Sequence, residues 1–244
     1  MNQNPVSSIR LRYEQVCEKI ASAARKAGRT PDSVCLVVVT KTHSLEVVRL
    51  ALDAGICDLG ENYVEEAVEK IKEIGAVNGL TWHMIGHVQS RKADLVAQNF
   101  DIVHSLDSLK LANRLDRFAG EAGRKIPVLL ECNVGGEESK FGFPAFDKAQ
   151  WEDLSAEARQ IAKLPNLVIR GLMTMPPLYL EPEKTRPLFQ KMRELQSYLF
   201  GAVPQCSWNE LSMGTSSDFV VAVEEGATIV RVGTAILGSR PPKD

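Results

Sequence analysis

Apolar positions along this chain follow two habits that take turns: short unbroken runs, and longer stretches in which they recur three and four apart. The runs lie at 34–41, 56–63, 80–87, 102–106, 127–134, 167–175, 210–215 and 227–234. Valine-rich runs such as Val34 to Val39 are expected for strands buried on both faces of a parallel sheet. The intervening stretches predict helices over 64–74, 90–97, 146–162, 184–199 and 217–225, one from Ser44 to Gly55 and one from Asp107 or Ser108 to Ala122. A further helix over 6–27, closed by Gly28 and Pro31, precedes the first strand. Ser44 is placed to cap its helix, and Glu66 with Lys70 forms a pair four residues apart. Eight strands alternating with helices, with no linker or shift in composition, predict one (β/α)8 barrel of TIM type spanning 1–244, with an extra N-terminal helix.

In such a barrel every strand's C-terminal end opens at the same mouth. That gathers Lys41, Asn62, His83 to His87, Ser105, Asn133, Met173 to Met175, Ser212 to Thr215 and Arg231 to Thr234 around one cavity. The loop over 135–143 is long for a strand-to-helix connection and is expected to wall the site.

Composition narrows the partners. With 44% hydrophobic residues, 25% charged residues and a net charge of −2, the chain carries no electrostatic footprint for nucleic acid. Its five cysteines, at 17, 35, 57, 132 and 206, show no metal-like spacing, so reduced thiols, no disulfide and no metal are expected. No apolar run reaches the roughly 20 residues of a membrane span, and the N-terminus lacks a leader pattern, so the expected location is the cytoplasm.

Three groups at the mouth carry chemistry. Lys41 ends a buried strand, where partial desolvation makes an amine nucleophilic enough for Schiff-base formation, or else it snorkels to solvent. Ser212-Met213-Gly214-Thr215-Ser216-Ser217-Asp218 and Arg231-Val232-Gly233-Thr234-Ala235 follow the last two strands, the usual phosphate position in this fold. A phosphorylated aldehyde spans such a pair of handles, and pyridoxal 5′-phosphate (PLP) is one. Arg231, just before that turn, either meets the ring nitrogen of such a ligand and keeps it unprotonated or pairs with a nearby carboxylate. A Schiff-base aldolase acting on a sugar phosphate uses the same parts.

Several stretches together resemble the pyridoxal phosphate homeostasis protein family, whose barrels are similar to the N-terminal domain of alanine racemase. They are Val38-Val39-Thr40-Lys41-Thr42, Gly60-Glu61-Asn62-Tyr63, Trp82-His83-Met84-Ile85-Gly86-His87, Lys140-Phe141-Gly142-Phe143, Gly171-Leu172-Met173-Thr174-Met175, Leu211 to Asp218 and Val230 to Gly238. The resemblance implies that Lys41 holds PLP as a Schiff base. It implies further that Ser212, Gly214, Thr215, Gly233 and Thr234 hold the phosphate, that Arg231 faces the ring nitrogen, and that Asn62 and Met173 line the ring. Alanine racemase draws a second acid/base from an appended β-domain, and no such domain is expected here. The implied function is carriage and buffering of PLP in its cellular homeostasis, with apo-enzymes as recipients and a monomer as the expected state. The alternative is a PLP-dependent amino-acid racemase whose base lies inside the barrel, with His83, His87 or Tyr63 as candidates. His43, beside Lys41, either tunes it or is exposed.

Overall fold

The computed structural model describes residues 4–177 and 179–239. Residues 1–3, within the stretch read for a leader, and residues 240–244 at the end of the chain lie outside the described residues. The strands are β1 (Cys35–Val39), β2 (Asp58–Glu61), β3 (Thr81–Met84), β4 (Ile102–Leu106), β5 (Ile126–Asn133), β6 (Phe143–Pro144), β7 (Leu167–Met173), β8 (Glu210–Ser212) and β9 (Ile229–Val232). All pair in parallel in the order β4-β3-β2-β1-β9-β8-β7-β5, and a β4–β5 pairing closes the ring into the expected eight-stranded barrel. The two-residue β6 ends the loop over 135–143 and runs beside the last residues of β5.

The helices are α1 (Pro5–Lys26), α2 (Leu45–Asp53), α3 (Val64–Ile74), α4 (Ala93–Asn99), α5 (Leu109–Glu121), α6 (Trp151–Ile161), α7 (Arg186–Ala202), α8 (Phe219–Glu224) and α9 (Thr234–Leu237). Their starts follow local chemistry. The hydroxyls of Ser44 and Ser108 accept from the amides of Val47 and Leu111, satisfying donors that a helix start leaves open. Before α6, Asp147 and Gln150 close a capping box around a short 3₁₀ turn, so the α-helix begins at Trp151 rather than at Phe146 as the spacing suggests. The one-turn α9 was not expected from the sequence; it is too short to show a helical period.

Side-chain parity sorts each strand between two cores. Leu36, Val38, Leu59, Trp82, Met84, Leu130, Leu172 and Val230 face the helices in one large cluster, whereas Val37, Leu129, Met173 and Ile229 pack together in the barrel lumen. The leading helix α1 packs on α2, α8 and α9 and buries Ile9, Val16 and Ile20. Beside the short α8 and α9, the long α1 completes the helical layer on this side of the barrel. Burial of each of its large apolar side chains contributes roughly 1.5–3 kcal/mol.

Candidate functional site

β1 ends at Val39 and the chain turns at once. Thr42 sits at φ 64°, the left-handed region that a β-branched residue adopts only when held. The hold is a buried ionic cluster. The Thr42 amide donates to Glu66 Oε1 at 2.7 Å, and Lys70 Nζ donates to the Thr40 carbonyl at 2.9 Å, to Glu61 Oε1 at 2.8 Å and to Glu66 Oε1 at 2.6 Å. The Thr40 hydroxyl adds a bond to Glu61 Oε1 at 2.7 Å. Burial pushes the Glu61 carboxyl up, and the facing Lys70 ammonium opposes that push. Every residue in this cluster bears on the turn that presents Lys41.

Lys41 opens onto a cavity of about 400 Å³ at the C-terminal ends of β1, β2, β3 and β9, within the usual size range of a small-molecule site. Its lining also includes Asn62, Met175, Arg231, Gly233 and Thr234, together with the hydroxyls of Thr215, Ser216 and Ser217. Among the described residues no carboxylate lines it. Two cations, four hydroxyls and glycine-punctuated turns make a donor set suited to an anionic ligand that also carries a group reactive toward amines.

Arg231 is almost wholly buried in the wall, 3% exposed. One guanidinium nitrogen donates to Ser212 Oγ, the other to the Thr174 carbonyl at 2.9 Å. Burial lowers its pKa to about 10, with Glu131 and Asp218 opposing, so it stays charged at neutral pH. Asp218 also braces the turn after β8: its Oδ1 accepts from the Thr215 amide at 2.6 Å and from the Thr215 hydroxyl at 3.1 Å. The Gly233 amide donates to Ser216 Oγ at 3.2 Å, tying together the turns after β8 and β9.

The structure thus brings Lys41, Asn62, Thr215, Arg231, Gly233 and Thr234 to one cavity. Three sequence-derived candidates stand differently. Met173 is wholly buried in the lumen with Val37, Leu129 and Ile229, and Met175, two residues on, reaches the cavity in its place. Ser212 is buried under the wall, bonded to Arg231 and to His104. Gly214 takes φ 92° in the turn, where an added Cβ would lie 2.5 Å from that of Ala222, and its carbonyl accepts from the Arg231 amide.

The histidines and Tyr63 fall outside the cavity wall. His87 binds Asp107 at 2.8 Å and stacks on Phe141 at a neighbouring part of the mouth. His43 is buried along a separate groove with Thr42, Lys70 and Glu73. Tyr63 is 43% exposed at the start of α3. The five cysteines are free thiols; Cys57 is exposed, and burial pushes the Cys132 thiol up.

Sequence reasoning missed Glu131 and the Lys70 cluster. Glu131 Oε2 is buried without a hydrogen-bond partner among the described residues, and burial together with Asp107 raises its pKa to about 7 against the pull of Arg231 and Lys140. The signal was present in its parity with Leu129, which points the carboxyl into the lumen.

The chain resembles known proteins over most of its length. The family described as "Alanine racemase, N-terminal domain" matches residues 13–241. A Pyridoxal phosphate homeostasis protein of Vibrio alginolyticus is 39% identical over 238 residues, covering 96% of this chain and 99% of that protein. The Escherichia coli K12 protein of the same name is 38% identical over 229 residues, covering 93% and 94%. PipY of Synechococcus elongatus, solved with PLP bound, is 41% identical with a TM-score of 0.77, covering 90% of this chain and all of that one. An alanine racemase of Clostridium difficile shares the fold at a TM-score of 0.68 and 16% identity, with 98% of this chain matching 58% of that one. The chain therefore belongs to the pyridoxal phosphate homeostasis protein family, on the fold of the alanine racemase N-terminal domain.

Proposed function

We propose that this protein binds PLP in the Lys41 cavity and serves its homeostasis as a carrier and buffer, holding the cofactor covalently on Lys41. The observation that carries the reading is that, among the described residues, an amine, a guanidinium and two glycine-punctuated hydroxyl turns converge on one cavity with no carboxylate in its lining. When bound, the cofactor supplies an aldehyde that condenses with a primary amine with loss of water. Lys41 supplies that amine from a turn fixed by Lys70, Glu61 and Glu66. Thr215, Ser216, Thr234 and the Gly233 turn line the cavity and would supply donors for the phosphate, Asn62 and Met175 would line the ring, and Arg231 would meet the ring nitrogen. A charged arginine there leaves that nitrogen unprotonated, which weakens the electron-withdrawing pull of the ring and favours holding over turnover.

Among the described residues, Lys41 and Arg231 are the titratable side chains lining the cavity. Two-base racemisation needs a second acid/base in reach of the same carbon, so racemase activity is the less favoured reading. The proposal extends to a cytoplasmic monomer that hands PLP to apo-enzymes; no helix among the described residues is long and apolar enough to cross a membrane. Carriage is tested by mixing the PLP-loaded protein with an apo form of a PLP enzyme and following recovery of its activity. Recovery faster than the loaded protein releases PLP to buffer supports direct delivery. Turnover of a free amino acid by the loaded protein alone, abolished by Lys41→Ala, would replace the carrier reading with the racemase one.

A further inference from the structure

The barrel lumen beneath the cavity is polar along one line. Arg231 donates to Ser212 Oγ; Ser212 Oγ lies 2.8 Å from His104 Nδ1; His104 Nε2 lies 2.9 Å from His83 Nδ1; and His83 Nε2 lies 3.1 Å from Asp58 Oδ1. His104 and Ser212 are wholly buried and His83 nearly so, whereas the Asp58 side chain is 38% exposed. Asp58 opens β2, so the line runs from the strands' N-terminal face to the cavity at their C-terminal face.

We propose that Asp58, His83, His104 and Ser212 form a positioning column that orients the Arg231 guanidinium toward the cavity. Its proton order follows from donor bookkeeping. A guanidinium only donates, so Ser212 Oγ accepts from Arg231. With both imidazoles neutral and Asp58 ionised, one order satisfies every contact: Ser212 donates to His104 Nδ1, His104 Nε2 to His83 Nδ1, and His83 Nε2 to the Asp58 carboxylate. The reverse order needs a buried imidazolium or a protonated Asp58. Complete burial, with His83 and Arg231 alongside, holds His104 well below the ordinary imidazole range, which fits the neutral order.

Charged groups flank both ends. Asp58 also accepts a hydrogen bond from the Cys35 thiol, whose pKa burial raises to about 12, and Glu131 and Asp218 act on Arg231. The column thus transmits the acceptor character of a carboxylate on one face of the barrel to a hydroxyl beneath the other, and chains of this kind reinforce one another. The role in cofactor binding rests on the proposed reading that Arg231 meets the cofactor ring; the proton order does not.

Two readouts separate these. Long-range proton–nitrogen NMR on nitrogen-labelled protein free of PLP should show His83 and His104 as neutral rings protonated at Nε2 and bare at Nδ1. A ring protonated at Nδ1, or an imidazolium, overturns the column whatever the protein binds. In PLP-loaded protein, Asp58→Ala should speed PLP release about tenfold and shift the bound cofactor's absorbance, while Asp58→Asn, which keeps an acceptor, should stay within about twofold of the parent. Unchanged release and spectrum in Asp58→Ala, with the parent loaded normally, overturns the positioning role alone. If the parent fails to load, the proposed function falls, and the tautomer result still decides the column.

Discussion

Lys70 Nζ lies 2.8 Å from Glu61 Oε1, and both side chains are buried, 7% and 0% exposed. Pairs removed from water this far matter mainly through what breaking them leaves behind. Lys70→Met strands Glu61 as an uncompensated buried acid and frees the turn before Lys41, and is expected to cost about 3–5 kcal/mol. The double variant Lys70→Met/Glu61→Gln should recover most of that loss in urea unfolding. A single-variant cost below about 1 kcal/mol would mean that water reaches the pair.

Glu131 makes stability depend on pH. Its pKa is raised from 4.5 to about 7, so its favourable contribution is full below the unfolded value and is lost as pH rises through the folded one. The loss amounts to roughly 3 kcal/mol at most. Glu131→Gln should therefore be more stable than the parent near pH 8, with the gain shrinking toward about pH 5. Denaturant midpoints across that range, parent against variant, check it; parallel curves would refute a perturbed Glu131.

Gly86 decides where Asn62 lies. A Cβ at Gly86 would fall 2.4 Å from the Asn62 carbonyl oxygen and 2.6 Å from its Cα, both backbone atoms that have to move. Gly86→Ala is expected to weaken PLP binding about tenfold, equivalent to about 1.4 kcal/mol. Gly201→Ala serves as the contrast: nothing lies within 4 Å of the added Cβ inside α7, so PLP binding should hold and stability should rise by about 0.5–1 kcal/mol. Equal PLP affinities in the two variants would dissociate Asn62 from the site.

Much of this could be read along the chain because it is written locally. Unbroken apolar runs mark both-face burial, Ser44 and Ser108 sit where helices need acceptors, and the Glu66–Lys70 spacing makes the 2.6 Å pair. What escaped is set by closure of the ring. Asp58, His83, His104 and Ser212 belong to four strands, and only register brings them into one line. Lys70 looks like a surface partner of Glu66 until β2 delivers Glu61 beneath it. Met173 and Met175 share strand parity, so periodicity alone could not say that Met173 is in the lumen core and Met175 at the rim.

The central claim is that Lys41 is the covalent anchor of the cofactor. PLP-loaded protein should show an absorbance band that borohydride abolishes, and peptide mass analysis should then find the phosphopyridoxyl group on the Lys41 peptide. Lys41→Ala should lose the fixed adduct yet keep its circular dichroism, because Lys41 belongs to the cavity wall and not to either apolar core. A protein that takes up no PLP, or an adduct fixed on a different lysine, would contradict the account.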